Sequence, residues 1–184
     1  HRWAFNSLDG WDHLAIPGVS RKSSYGIQTN RTTSVLRAYA TNAASGLIWT
    51  QRFNIYEMPR LRWRWKVNRV YEHGHAGTKD GDDYPFRVYV LFPFNPEEAG
   101  MMKKLRYQSA KISQGRYPPE KALNYIWANR AHSATRITNA FTEHSIMITV
   151  REGDAGVGEW HTETVHVLAD ARAIFSGDPP EEAK

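Results

Sequence analysis

The segment at residues 60–68 constrains the fold of this chain more than any other. It reads Arg-Leu-Arg-Trp-Arg-Trp-Lys-Val-Asn, so large apolar residues alternate with cations. Successive residues of a β-strand point to opposite faces, whereas a helix would spread these cations around its axis. The segment is therefore predicted to be a strand with one core face and one polar face. Pro59, just before it, suits a strand entrance.

Similar signals recur at short intervals along the rest of the chain. We predict strands at residues 25–29, 34–40, 46–53, 86–92, 123–128, 145–151 and 160–167. The last two flank a glycine-containing turn and are predicted to pair as a hairpin. Residues 169–175 have the pattern of one or two helical turns, while residues 95–114 fit either a short helix or a long loop. The Pro/Glu-rich tail at residues 177–184 is predicted to be loose.

Many short strands with turn signals and almost no long helical pattern predict an all-β fold. We expect a jelly-roll or galactose-binding-like β-sandwich with one short helix near the C-terminus. The 184 residues contain neither an internal repeat nor a linker, so residues 1–184 are predicted to form a single domain. No apolar run approaches the roughly 18 residues that a membrane-spanning helix requires, so no membrane span is expected.

Composition narrows the classes of function. A net charge of +5 favours an anionic partner such as a polysaccharide, although the cations are dispersed along the chain, as on an ordinary solvated surface. The chain has no cysteine, which excludes disulfides and thiolate chemistry. It lacks the known nucleotide-binding loops and nucleic-acid-binding motifs, so we expect no cofactor and no nucleic acid partner. Because it opens at His1 rather than at Met, we interpret it as either a processed product or a trimmed chain.

Five motifs stand in order along the chain, at residues 41–47, 62–67, 79–90, 122–128 and 170–175. Among them are Arg-Trp-Arg-Trp-Lys-Val at 62–67 and Ala-Leu-Asn-Tyr-Ile-Trp-Ala at 122–128. Together they resemble the bacterial domain of unknown function family 3047, over about residues 11–180. The resemblance implies an exported protein, periplasmic or extracellular, with a β-sandwich related in shape to carbohydrate-binding modules. It implies no established activity, so it supplies no catalytic residues.

The polar face of the central strands is the first candidate site. If the apolar faces form the core, six polar side chains share the opposite face: Arg62, Arg64, Lys66, Arg87, Tyr89 and Asn124. Asp82 and Asp83 lie just before the strand that carries Arg87. Arginine suits bidentate recognition of carboxylate, sulfate or phosphate. The alternative is a structural network in which the carboxylates neutralise the arginines on a solvated sheet face.

Histidines give a second candidate site. His73 and His75 flank one glycine, and on an extended segment both rings point to one side, as a metal site requires. No third ligand follows at a diagnostic spacing, so we interpret them as surface histidines and predict no metal. His1 also fits a copper site built on an N-terminal amine, but no other feature matches such oxidases.

The leading functional hypothesis is an exported, non-catalytic module that binds a glycan or another polar or anionic ligand. Arg64, Arg87 and Asn124 would donate hydrogen bonds, and Tyr89 or an exposed tryptophan would stack on a sugar. One alternative is a polysaccharide lyase that combines these arginines and Tyr89 with His161, or a hydrolase using Asp82, Asp83 and Glu163. Another is a structural subunit of a cell-surface assembly, which would require self-association.

Overall fold

The structure is a computed structural model that describes residues 2–97, 99–114, 117–132, 134–175 and 177–184. The chain divides into two compact units, of which the first ends at Arg52 and the second is Phe53–Ala183. The assignment of residues 1–184 to a single domain stays a prediction.

The first unit contains two antiparallel strand pairs. These are β1 (Trp11–Ala15) with β4 (Ser45–Trp49), and β2 (Ser24–Thr29) with β3 (Ser34–Tyr39). The rings of Trp11 and Trp49 meet edge to face at 5.4 Å between centroids, and Trp3 packs on both. The strands predicted at 25–29 and 34–40 are confirmed. Strand β1 was not predicted, because its sequence Trp-Asp-His-Leu-Ala lacks a clear alternation.

The second unit carries the remaining strands and both helices. In chain order they are β5 (Phe53–Asn54), β6 (Arg60–Trp65), β7 (Arg87–Pro93), α1 (Met101–Gln114), β8 (Pro119–Ala128), β9 (Arg136–Asn139), β10 (Thr142–Glu152), β11 (His161–His166), α2 (Val167–Ile174) and β12 (Glu182–Ala183). Strands β7, β8, β10 and β9 form a four-stranded sheet in that order, while β6 pairs with β11 and β5 with β12. All these pairs are antiparallel except β8 with β10. The predicted all-β sandwich with a helix near the C-terminus is confirmed.

The core of the second unit lies between the four-stranded sheet and strand β6. Trp63 and Trp65 of β6 meet Tyr125 and Trp127 of β8, with ring centroids 5.7 and 5.8 Å apart. Large aromatic rings supply most of the apolar area in such a core. The alternation at residues 60–68 is thus confirmed as a core face and a solvent face, although the strand itself ends at Trp65.

Strand β11 pairs with β6 and not with β10, so the predicted hairpin at residues 145–167 is wrong. The turn between β10 and β11 carries the chain from one sheet to the other. At its start the Gly153 N–H donates to the Ala128 carbonyl at 3.0 Å, and near its end the Gly158 N–H donates to the Val67 carbonyl at 2.8 Å. These bonds tie the turn first to the end of β8 and then to the segment after β6.

Glu163 explains why β11 belongs beside β6. Its carboxylate accepts a hydrogen bond from Trp65 Nε1 at 3.1 Å and pairs with Arg151 Nε at 2.9 Å. A carboxylate withdrawn from water requires such partners. The antiparallel pairing with β6 brings the indole donor to it, and β10 supplies the cation.

Three other elements refine the predictions. The segment at 95–114 forms helix α1, and the helix predicted at 169–175 begins at Val167, with the His166 ring capping it. The tail predicted as loose ends in strand β12, where Ala183 is fully buried. In the part of the chain that the structure describes, neither helix is long and apolar enough to cross a membrane.

Candidate functional site

The loop between β6 and β7 is fastened to the sheet by Asn129, just after β8. Asn129 Oδ1 accepts the Tyr71 N–H at 2.8 Å, and its Nδ2 donates to the Asp83 carbonyl. A Cβ atom on Gly74 would lie 1.9 Å from Asn129 Nδ2, so only glycine allows this approach. The loop is thereby held against the outer face of the four-stranded sheet, which is the face turned away from β6.

An ion pair between the loop and the sheet forms one side of the candidate site. Arg87, on β7, donates from its NH1 nitrogen to Asp82 Oδ2 at 3.1 Å, and both side chains are largely withdrawn from solvent. The guanidinium carbon of Arg87 lies 5.0 Å from the Tyr84 ring centroid and 5.9 Å from that of Tyr89. The arginine is therefore fixed by one carboxylate and two aromatic rings, in a geometry that adds cation–π attraction.

The two tyrosines are kept protonated by their surroundings. Burial raises the pKa of Tyr84 to about 12, and the charge of Asp82 adds to this shift. Burial around its hydroxyl also raises the pKa of Tyr89, while Arg87 opposes the shift. Burial alone lowers the pKa of Arg87, but Tyr89 and Asp82 outweigh it and the net pKa is raised. At neutral pH the site thus holds a cation beside two neutral phenols.

Asn124 lies in the floor of this site, in the middle of β8 and directly opposite Tyr89 in the strand register. It is fully buried, and neither its Oδ1 nor its Nδ2 has a hydrogen-bond partner among the described residues. The amide lies close enough to the Tyr89 hydroxyl for a hydrogen-bonding interaction that lowers the pKa of that group, but no hydrogen bond of good geometry is formed. An unmade hydrogen bond at a buried polar group costs about 1–3 kcal/mol, so such a group calls for an explanation.

Two further buried polar atoms on the outer face also lack partners among the described residues. One is Asp82 Oδ1, the carboxylate oxygen that Arg87 does not occupy, and the other is Ser145 Oγ. Ser145 is on the outer face because it lies two residues from Met147, which packs there against Tyr84. We call Asp82, Tyr84, Arg87, Tyr89, Asn124 and Ser145 the outer-face site.

The other predicted site residues lie elsewhere. Arg62 and Arg64 are exposed on the solvent face of β6, and Lys66 is exposed just after it, on the far side of the core from the outer-face site. The Arg64 guanidinium lies 5.2 Å from the ring centroid of Trp160, which is also exposed. Asp83 is exposed, and its backbone carbonyl accepts the Asn129 amide. Of the eight predicted residues, the structure brings together Asp82, Arg87, Tyr89 and Asn124.

The residue pairs required by the enzymatic alternatives are separated by the sheet. His161 contacts the Trp127 ring at 5.3 Å on the core side, and its Nε2 lies 2.8 Å from the Gly156 carbonyl. Tyr89 belongs to the outer face. Glu163 likewise points into the core, whereas Asp82 belongs to the outer face. The structure therefore separates Tyr89 from His161 and Asp82 from Glu163.

The histidines do not form a metal site in the described part of the chain. His75 lines a shallow pocket of about 200 Å³ together with Arg130, His132 and Ile137. No group of three His, Cys, Asp or Glu side chains close enough to hold a metal ion occurs among the described residues. His73 is exposed, and His1 lies outside the described residues.

These features define a β-sandwich protein with a half-buried polar site on the outer face of its four-stranded sheet. Comparison with protein families matches residues 9–184 to the family described as "Protein of unknown function (DUF3047)". The chain belongs to this family, as its five sequence motifs predict. No curated protein and no solved structure matches the chain.

Proposed function

We propose that this chain is an exported, non-catalytic module that binds a glycan at the outer-face site. The observation that carries the proposal is the Asn124 amide, which is fully buried beneath the sheet's outer surface and without a partner among the described residues. A site that keeps such a group at a cost in stability is typical of one that uses it for a ligand.

The chemistry of the site favours a hydroxyl-rich ligand over a strongly charged one. The positive charge of Arg87 is already balanced by Asp82. What remains free is hydrogen-bonding capacity: an acceptor on Asp82, a hydroxyl on Ser145, and both donors and acceptor on Asn124. Sugar hydroxyls both donate and accept, so they match this mixed set. Tyr89, 41% exposed, offers a ring on which a sugar would stack.

Access to the floor of the site requires a movement of Tyr89. Tyr89 lies beside Asn124 in the strand register, and Asn124 has no exposed surface. Tyrosine side chains change rotamer on fast timescales, so the ring would turn aside as the ligand enters and then pack against it. In this mechanism Tyr89 acts as both cover and stacking platform.

The test is a screen of the purified protein on neutral and acidic glycans, with detection of both retention and unsaturated products. We expect retention without products, and we expect Tyr89→Ala to weaken it at least about tenfold through loss of stacking. The control is Tyr39→Ala, an exposed tyrosine in the first unit. Unsaturated products would instead support a lyase. Failure to retain any glycan would favour the structural-subunit alternative.

A second candidate function is the binding of an anionic ligand on the solvent face of β6. Arg62, Arg64 and Lys66 form no ion pair among the described residues, and the opposing strand presents the hydroxyls of Thr162 and Thr164. Such a row of cations attracts acidic polymers in a salt-dependent manner. The double variant Arg62→Ala/Lys66→Ala should reduce retention on acidic glycans at low salt and leave retention on neutral glycans unchanged.

Export to the periplasm or the cell exterior belongs to the same proposal and has its own test. The natural gene product, detected with an antibody, should appear in the osmotic-shock fraction or the medium. Its recovery with cytoplasmic marker proteins would contradict this location without bearing on the ligand.

A further inference from the structure

Helix α1 is weakly anchored to the rest of the second unit. It has fourteen residues, yet among its described side chains only Tyr107 is buried. Tyr107 stacks on Phe94 with ring centroids 3.8 Å apart, and Lys103 pairs with Glu120. An isolated helix of this length is marginal in water, and helices in proteins gain most of their stability by burying an apolar face.

Three apolar side chains on the first turns of α1 face solvent instead of the core. Met101 is 85% exposed, Met102 79% and Leu105 59%. Residues three and four apart share a helix face, so these three form one contiguous patch on the first turns. Grouped apolar side chains of this size on a surface mark a site of interaction.

The charges of α1 indicate what covers this patch. The helix carries Lys103, Lys104, Arg106 and Lys111 and has no Asp or Glu. Glu120 neutralises Lys103, while Lys104 and Arg106 have no ion pair among the described residues. A second copy of this helix, docked face to face, would bring like charges together. An anionic surface that also accepts apolar side chains fits both features.

We infer that α1 docks on the surface of an anionic lipid bilayer. Met101, Met102 and Leu105 enter the boundary between headgroups and acyl chains, while Lys104 and Arg106 contact lipid phosphates. The helix lies on the membrane and does not cross it, since fourteen residues span about 21 Å against a hydrocarbon core of about 30 Å. This inference is independent of glycan binding at the outer-face site.

The experiment is co-sedimentation of the full chain with vesicles of phosphatidylcholine alone and of equal parts phosphatidylcholine and phosphatidylglycerol. We expect binding to the mixed vesicles and little to the neutral ones. The triple variant Met101→Ser/Met102→Ser/Leu105→Ser should reduce partitioning at least about tenfold. The double variant Lys104→Glu/Arg106→Glu should reduce it as well, most clearly at low salt.

The matched control is Phe141→Ser, which removes an apolar side chain that is 64% exposed outside α1 and should leave partitioning unchanged. Thermal unfolding of each variant checks that the fold persists. The inference is overturned by three results: no binding to anionic vesicles, equal binding to neutral ones, or binding that the triple variant retains. It is also overturned if the wild-type chain dimerises and the triple variant alone is monomeric, because a second copy would then cover the patch.

Discussion

Two asparagines near the outer face differ in the number of partners they have. Asn129 uses its amide oxygen and nitrogen to hold the loop after β6. Neither amide atom of Asn124 has a hydrogen bond of good geometry among the described residues, although its amide acts on the Tyr89 hydroxyl. Both are buried. Asn129 therefore stabilises the loop through its hydrogen bonds, while the hydrogen-bonding capacity of Asn124 is left largely unused. The stability of the fold should therefore respond in opposite ways to their replacement.

We predict that Asn129→Leu lowers the free energy of unfolding by about 3 kcal/mol, because it leaves the Tyr71 N–H and the Asp83 carbonyl without their partner. By contrast, Asn124→Leu should leave stability unchanged or raise it by about 1 kcal/mol, since it removes an unsatisfied amide of similar volume. Urea denaturation measures both. If the two variants lose equal stability, Asn124 has structural partners and the outer-face site loses its main support.

Tyr84 should make the protein sensitive to alkali. Its pKa is about 12 in the folded chain against the usual 10, mainly because it is buried. A folded-state pKa above the unfolded value means that the native state holds its proton more tightly. This stabilisation is fully present below about pH 10 and is lost as the pH rises towards 12.

The free energy of unfolding of the wild-type protein falls between pH 10 and 12. We predict that Tyr84→Phe makes this fall smaller by up to about 2 kcal/mol. The hydroxyl donates to Met147 Sδ at 3.3 Å and also interacts with Asp82, so its removal should cost about 1 kcal/mol at neutral pH. The measurement is urea denaturation across that pH range. An unchanged pH dependence in the variant would show that other groups cause the loss.

At the scale of elements, alternation predicts strands and their faces but not their partners. Residues 60–68, 86–92 and 123–128 each alternate, and each overlaps a strand of the second unit. The turn after β10 was predicted to be a hairpin turn because glycines indicate that the chain changes direction. They do not indicate which strand it pairs with next. Which sheet the chain enters next depends on bonds such as Gly158 to Val67, which no local pattern encodes.

The ion pair between Arg151 and Glu163 joins β10 to β11 across this change of sheet. We predict that Arg151→Met lowers the free energy of unfolding by about 3 kcal/mol, because Glu163 is left in the core with one donor. The double variant Arg151→Met/Glu163→Leu should recover most of that loss. Equilibrium urea denaturation of both variants tests the pair. If the double variant is no more stable than Arg151→Met, the stability of the fold does not depend on the pairing of Glu163 with Arg151.

At the scale of the whole molecule, the sequence predicts the fold class and four of the six residues of the outer-face site. The prediction assigned Arg62, Arg64 and Lys66 to the same polar face as Arg87 and Asn124. Alternation identifies the outward face of each strand, but here β6 and β8 belong to different sheets that turn their polar faces in opposite directions. Tyr84 in a loop and Ser145 within β10 carry no spacing signal, so only the folded chain reveals them.

The central claim is that the outer-face site binds a hydroxyl-rich glycan. The most direct test compares the wild-type protein with Asn124→Leu in calorimetric titration with a glycan retained in the screen, at low and high salt. We predict that the variant folds at least as stably as the wild type and loses binding at least about tenfold, while salt hardly changes wild-type affinity. Full binding by a stably folded Asn124→Leu variant would contradict the claim.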